Sequence, residues 1–389
     1  MTVRRGCHSC PTALPIRTVA GVLVWSLVVS LGADIIPSAG LAQGTDANAP
    51  WRFAVSGDSR NCGDVVMPAI AAGVKKDGAA FYWHLGDYRA IYDFDEDYRQ
   101  LHPKANISQY ESDAWPDFIE HQIKPFGTTP VYLSIGNHET IPPKTRTDYL
   151  IQFADWLLAP PLEARRLADD PSDHALRAYY HWIENGVDFI SMDNGTDDQF
   201  DAAQLKWLQG VLGRNSRNSD VRSVVVGMHK ALPDSISSGH SMNDSAQGTA
   251  SGRSVYETLA TFEHTSGKHV YVLASHSHFF ISNVYATVCR AKENVLPGWI
   301  VGTAGAVRYR LPKDHMGADE ALADTYGYLL GTVAADGSVR FEFKVVTETD
   351  VPQATVNEFT PALVHRCFAE NKSNNVPAGP VCETAPAGH

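Results

Sequence analysis

Five apolar runs in this chain each stop at polar residues of the kind that bind metals. Phe53-Ala54-Val55-Ser56 runs into Gly57-Asp58, residues 81–85 into Gly86-Asp87, and residues 131–135 into Gly136-Asn137-His138-Glu139. Val224-Val225-Val226 precedes Gly227-Met228-His229, and residues 269–273 lead to Ser275-His276-Ser277-His278. Short apolar runs bounded in this way read as buried strands. Between the first two, Asp64 is placed to cap a helix reaching Lys76, so the unit reads as a right-handed βαβ crossover. A helix is expected over about residues 115–123, another after Asp201 on the face of Leu205, Leu208, Val211 and Leu212, and a third over about 254–262. Glu184-Asn185-Gly186 is a hairpin turn between runs 180–183 and 187–192. Later runs at 281–288, 299–301, 326–333 and 339–346 read as strands, the last two joined at Ala335-Asp336-Gly337. Two β-α-β blocks, each closed by metal-type residues, predict an α/β sandwich of two sheets flanked by helices. Residues 51–346 form this domain, and residues 347–389, with little periodicity, read as a surface tail.

Composition changes this picture mainly at the ends. With 389 residues, 44% of them hydrophobic, the chain is long enough for one large α/β domain. A formal charge of −12 argues against nucleic acid as a partner, since non-specific binding needs a basic surface. It leaves room for a small phosphorylated substrate, because bound cations invert the local field. Arg4, Arg5 and Arg17 precede an uncharged run over 19–31, and Gly40-Leu41-Ala42 fits a small-x-small cleavage site. Residues 1–42 therefore read as an export signal and 43–50 as a linker, with no stable membrane span after cleavage and a periplasmic or secreted product. Cys62, Cys289, Cys367 and Cys382 remain, and an even number in an exported chain predicts disulfides. Of the three pairings, Cys367–Cys382 with Cys62–Cys289 is the expected one, stapling the tail and the first metal loop.

Two metal ions about 3.5–4 Å apart need a shared carboxylate and further oxygen and imidazole ligands on separate elements. Asp87 is the candidate bridge, Asn137 the neutral oxygen, and His229, His276 and His278 the nitrogens, while Asp58 completes one ion. Strand alternation would put His276 and His278 on one face. His138, beside a ligand, is placed to protonate a leaving alkoxide or stabilise phosphoryl oxygens. Arg60 and Arg89 are candidate phosphate contacts or, as readily, partners in surface salt bridges. The Ser/Gly/Asn-rich stretch 230–253, with His240, reads as a substrate-shaping lid. Tyr92, Asp93, Asp95, Glu96, Asp97 and Tyr98 read as an acidic aromatic strip at the mouth. Any one of these residues alone would be a turn, cap or packing residue; the ordered set at strand ends points to metal. His84, His181 and His269 fall within strands and read as packing or face residues rather than ligands.

On these motifs the chain resembles the calcineurin-like metallophosphoesterase superfamily over about residues 51–310. The order Asp58, Gly86-Asp87, Gly136-Asn137-His138-Glu139, Val226-Gly227-Met228-His229, His276-Ser277-His278 is similar to its purple acid phosphatase branch. The resemblance implies a four-layer α/β/β/α fold, hydrolysis of phosphoric esters, and two metal ions, divalent here (Mn, Mg, Zn or Fe). Three positions depart from the pattern. Arg60 stands where Asp-x-His is usual, Ala90 where the branch has a metal-binding Tyr, and Ser275 where Gly is usual. The half holding Asp58, Asp87 and His278 thus lacks a side-chain ligand: it holds metal weakly, fills from water, or uses Arg60 to grip phosphate. Without the Tyr a colourless protein is expected, unless Tyr88 or Tyr92 substitutes. The resulting reading is an exported phosphomonoesterase, with a phosphodiesterase second. The rival of another class is a metal- or phosphate-binding protein without turnover, against which His138 weighs.

Overall fold

The structure, a computed structural model, describes residues 49–290, 295–313, 315, 317–374 and 376–379. The expected export signal and Cys382 lie outside them. Twelve strands are formed among the described residues: β1 Trp51–Ser56, β2 Tyr82–His84, β3 Val131–Leu133, β4 Tyr180–Glu184, β5 Val187–Ser191, β6 Ser223–Gly227, β7 His269–Ala274, β8 Phe280–Ser282, β9 Gly298–Val301, β10 Ala321–Leu322, β11 Tyr326–Val333 and β12 Val339–Val346. They make two mixed sheets, ordered β12-β11-β1-β2-β3 and β10-β8-β9-β7-β6-β5-β4. Within them β1, β2 and β3 run parallel, as do β5, β6, β7 and β9. All five metal-type motifs follow the carboxyl ends of parallel strands, where ligands gather in α/β sheets.

The sheets meet through an aromatic core, which is why the strand runs are apolar throughout. Phe53 of β1 packs edge-on against Phe189 of β5 at 4.8 Å between ring centres, and Trp83 of β2 against Trp182 of β4 at 5.3 Å. All four side chains are fully buried, and each contributes roughly 1.5–3 kcal/mol by leaving water. Helices cover the outer faces: Gly63–Lys76 packs on the first sheet, while Ala202–Arg217 and Ala246–Ser266 contribute to the apolar layer over the second. The expected sandwich of two sheets flanked by helices is formed.

Several expectations need correction. The helix foreseen over 254–262 begins at Ala246, capped by Ser245, and turns at Ser238–His240 and Met242–Asp244 precede it. Residues 230–253 are therefore ordered, with Ser235, Ser237 and Ser241 fully buried. The helix foreseen from Trp115 starts at Ile107, where Asn106 accepts a hydrogen bond from the Gln109 amide. The strand foreseen over 281–288 is only Phe280–Ser282. The presumed tail contains the helix Gln353–Ala369, which buries Phe359, Leu363 and Val364 against Gly63–Lys76. That packing joins Cys62 to Cys367, with Cα atoms 5.8 Å apart, so the expected Cys62–Cys289 and Cys367–Cys382 pairing is not formed. Cys289 is disulfide-bonded as well.

His181 is a packing histidine, as expected, and it carries charge. Fully buried on β4, its Nδ1 lies 3.0 Å from Asp188 on β5 and its Nε2 3.3 Å from Asp169. Burial works against the imidazolium, but Asp188 and then Asp169 outweigh it and hold the pKa up to about 9. A raised folded pKa contributes stability in full below the unfolded value of about 6.5, lost as pH rises through about 9. His181→Gln is expected to cost up to roughly 3 kcal/mol at pH 6 and far less at pH 10. Urea denaturation at both pH values checks this; equal losses would mean an uncharged His181.

Candidate metal centre

The five motif loops are drawn together by backbone as much as by side chains. Asp58 N donates to Gly86 O, Gly57 N to Val301 O, and His229 Nδ1 lies 3.0 Å from Leu85 O, tying the two sheets at the site. Glu139, the last residue of its motif, is fully buried and accepts from the amides of Asp87, Tyr88 and Gly136. It welds the second and third motif loops. Gly86 adopts φ +94°, and a Cβ there would lie 2.4 Å from Gly136 N; a Cβ on Gly136 would lie 2.3 Å from Asp87 Oδ1. Asp58, Asp87 and His276 hold φ values of 60°, 61° and 64°. Left-handed backbone at a non-glycine residue costs of order 1 kcal/mol and persists where surrounding structure enforces it.

Four of the predicted ligands converge. His229 Nε2 stands 3.0 Å from Asn137 Oδ1, 3.1 Å from His276 Nδ1 and 3.2 Å from Asp87 Oδ1. Its Nδ1 donates to the Leu85 carbonyl, which can only accept, so loss of the Nε2 proton would turn a lone pair toward two oxygens and a nitrogen. Such a cluster of acceptors calls for a cation. Burial works against a charged His229, yet Asp87 and then Asp58 hold its pKa up to about 9. His276 is pushed well below the usual value by burial and then by His229. Asp87, despite burial, is held well below the carboxylate range by His138, His229 and Arg60. Two imidazoles, a carboxylate and an amide oxygen fit a divalent ion of the Mn, Fe or Zn type.

The other half is arranged differently. Asp58 accepts from the His276 amide at 2.6 Å, and its Oδ1 lies 3.2 Å from His278 Nε2. The side chain of Arg60 lies within this half. Its Nη2 donates to His278 Nε2 at 2.8 Å, its Nη1 to His138 Nε2, and its Nε sits 3.7 Å from Asp87 Oδ2. His278 Nδ1 donates to Val307 O and His138 Nδ1 to Ala90 O, each at 2.7 Å. Asp58 Oδ1, Asp87 Oδ2 and Arg60 Nε have no hydrogen-bond partner. His276 and His278 do not alternate along a strand: β7 ends at Ala274, and the left-handed His276 turns the two rings into different halves.

Of the other candidates, Arg89 is not at the mouth. It is fully buried, with Asp64 at 2.6 Å, Asp97 at 3.2 Å, Asp95 at 3.6 Å and Asp117 also bonded to it. The supposed acidic strip is thereby split: Asp95, Asp97 and Tyr98 are buried, and Tyr92 and Asp93 stay exposed. A second group of possible metal ligands, Asp64, Asp117 and His121, surrounds the same Arg89. His240 is near the centre, its ring 5.6 Å from His276. Tyr88 donates its hydroxyl to Ser134 O at 2.6 Å, and Tyr92 packs 5.3 Å from His138. Sequence reasoning passed over three contributors. Tyr309 stacks on His278 at 4.1 Å, Asn194 Oδ1 accepts from the amides of His229 and Lys230, and Ser275 Oγ lies 3.1 Å from His229 Nδ1. Asn194 and Tyr309 lie outside the five motifs, so spacing carried no signal for them.

The family model for calcineurin-like phosphoesterase matches residues 52–280, more than half of the chain and every motif above. The chain belongs to the calcineurin-like phosphoesterases. Among solved structures, this phosphoesterase resembles a purple acid phosphatase, PPD1, from yellow lupin (Lupinus luteus) at 15% identity and TM-score 0.54, covering 77% of this chain and 52% of that one. The chain thus spans about half the length of the lupin protein. A dimetal phosphatase from Danio rerio (12% identity, TM-score 0.43, 76% and 98% covered) and GAP50 of Plasmodium (11%, 0.43, 85% and 99%) are also similar. No curated protein matches the chain. At 15% identity the lupin structure speaks for the fold and not for a substrate.

Proposed function

We propose that this phosphoesterase is an exported, metal-dependent hydrolase of phosphoric monoesters. The observation that carries the reading is the convergence of Asp87, Asn137, His229 and His276 beside Arg60 and His138. A divalent ion bound by the first four would polarise a phosphoryl oxygen as a Lewis acid. The two cations expected from the sequence become, in this reading, one metal ion there and a second positive charge between Asp58, Asp87 and His278. Arg60 faces a cleft of ≈ 110 Å³ that Tyr92, His278 and Tyr309 also line. Its small size supports a compact phosphoryl group with one ester substituent over a diester, and the exposed Asp93 on the rim disfavours polyphosphates. The Cys62–Cys367 bond supports export. Among the described residues no helix is long and apolar enough to cross a membrane.

Activity of the metal-loaded protein on a panel of monoesters and diesters tests the reading. A metal- or phosphate-binding protein without turnover is the second reading, favoured by the place of Arg60, and no hydrolysis of any ester would install it. His138→Ala is expected to retain metal and slow hydrolysis on the order of 10²–10⁴-fold. Comparison of good and poor leaving groups separates two roles. A smaller loss for activated esters marks a proton donor, and an equal loss marks a group that holds Arg60 and the phosphoryl oxygens.

A further inference from the structure

The Asp58/Asp87/His278 half has three features that together leave no room for an ion. First, the lone pair of His278 Nε2 is taken by Arg60 Nη2 at 2.8 Å, while the opposite nitrogen donates to Val307 O. An imidazole so engaged at both nitrogens has no electron pair left for a metal. Second, Arg60 is itself a fixed cation. It is 8% exposed, its Nε lies 3.7 Å from Asp87 Oδ2, and a guanidinium stays protonated throughout the working range. Third, position 90 is an alanine, whose only nearby donor atom, the backbone oxygen, is already bonded to His138 Nδ1. The residues of this half do not fit a second metal ion.

We propose that the chain holds a single metal ion, on Asp87, Asn137, His229 and His276, and that the Arg60 guanidinium stands in the second cation position as a phosphoryl-binding group. This rests on the hydrolase reading for its substrate but not for its metal count. A guanidinium offers two parallel N–H donors matched to phosphoryl oxygens, and unlike a metal ion it cannot be removed by a chelator. His138 and His278 act as positioning residues, accepting from Nη1 and Nη2 and holding the guanidinium plane toward the cleft.

The test is metal counting on the full chain equilibrated with excess Mn²⁺ and then desalted. One equivalent is expected, with the paramagnetic resonance spectrum of an isolated ion. His229→Ala should bring the count to zero and His278→Ala should leave it at one. Arg60→His, which supplies a ligand and removes the charge, should raise it to two with the spectrum of a coupled pair. Two equivalents in the unmodified protein, one of them lost in His278→Ala, would overturn the proposal whether or not Arg60→His folds. So would an Arg60→His protein that folds and still binds one. One equivalent without hydrolysis of any ester would leave this inference standing and remove the hydrolase reading instead.

Discussion

His229→Ala is expected to lose its bound metal and nearly all turnover while keeping its fold. The imidazole is the hub of the centre: its Nε2 lies within 3.2 Å of Asn137, His276 and Asp87, and its Nδ1 is anchored on Leu85 of the facing sheet. Truncation removes one of four ligand atoms and leaves three on separate loops. An ion acting as a Lewis acid contributes several kcal/mol of transition-state stabilisation. At about 1.4 kcal/mol per tenfold, its loss lowers kcat on the order of 10³-fold. Circular dichroism should be unchanged, because His229 sits beyond β6 rather than in the aromatic core. Full metal content with normal turnover would sink the assignment.

Arg89→Met is expected to destabilise the fold by about 3–5 kcal/mol, the usual cost of stripping one partner from a buried ion cluster. Four buried carboxylates, of Asp64, Asp95, Asp97 and Asp117, pair with this guanidinium, and His121 adds a second cation beside Asp117 and Asp64. Even with it present, burial pushes the Asp64 carboxyl up to about 7. Asp117 resists burial and is held at about 2, by Arg89 first among its partners. Without Arg89 the carboxyls of Asp64 and Asp97, already raised by burial, rise further above their unfolded values, and Asp117 loses the first partner that holds it low. The folded state then binds more protons than the unfolded one, so the loss is greatest at high pH and shrinks as pH falls. Urea denaturation at pH 8 and pH 5 reads both the size and the trend. A change under about 1 kcal/mol, or the opposite trend, would mean that the cluster is neutralised by other means. Because Arg89 lies two residues beyond Asp87, metal affinity should fall along with stability.

Much of the site was legible because strand ends announce themselves locally. An apolar run stopping at Gly-Asp or Gly-Asn-His-Glu is a one-dimensional pattern, and chain order alone brought Asp58, Asp87, Asn137, His229, His276 and His278 into one hypothesis. The two sheets flanked by helices followed from the same runs. The misreadings share a cause. Arg89, Asp95 and Asp97 looked like a polar loop, since sequence does not distinguish a solvated charge from one buried against an opposite charge. The helix Gln353–Ala369 has its apolar residues interrupted by a turn at Thr360, with φ 69°, which erased the periodicity that would have announced it. The Cys62–Cys367 pairing spans 305 residues and depends on that helix lying against Gly63–Lys76.

What the sequence by itself determined is the inventory: which strands are buried, which residue types end them, and that Arg60 and Ala90 depart from the pattern of the family. The first two are properties of a few neighbouring side chains that hydrophobicity and spacing report directly, and the third follows from the resemblance to the family. Only the tertiary structure decided where Arg60 lies. Its guanidinium is held by His138, 78 residues away, and by His278, 218 residues away, and the loops that carry all three are aligned by backbone bonds between two sheets. Whether a cationic side chain grips substrate, pairs on the surface or takes the place of an ion depends on which lone pairs surround it, and those come together only when the sandwich closes.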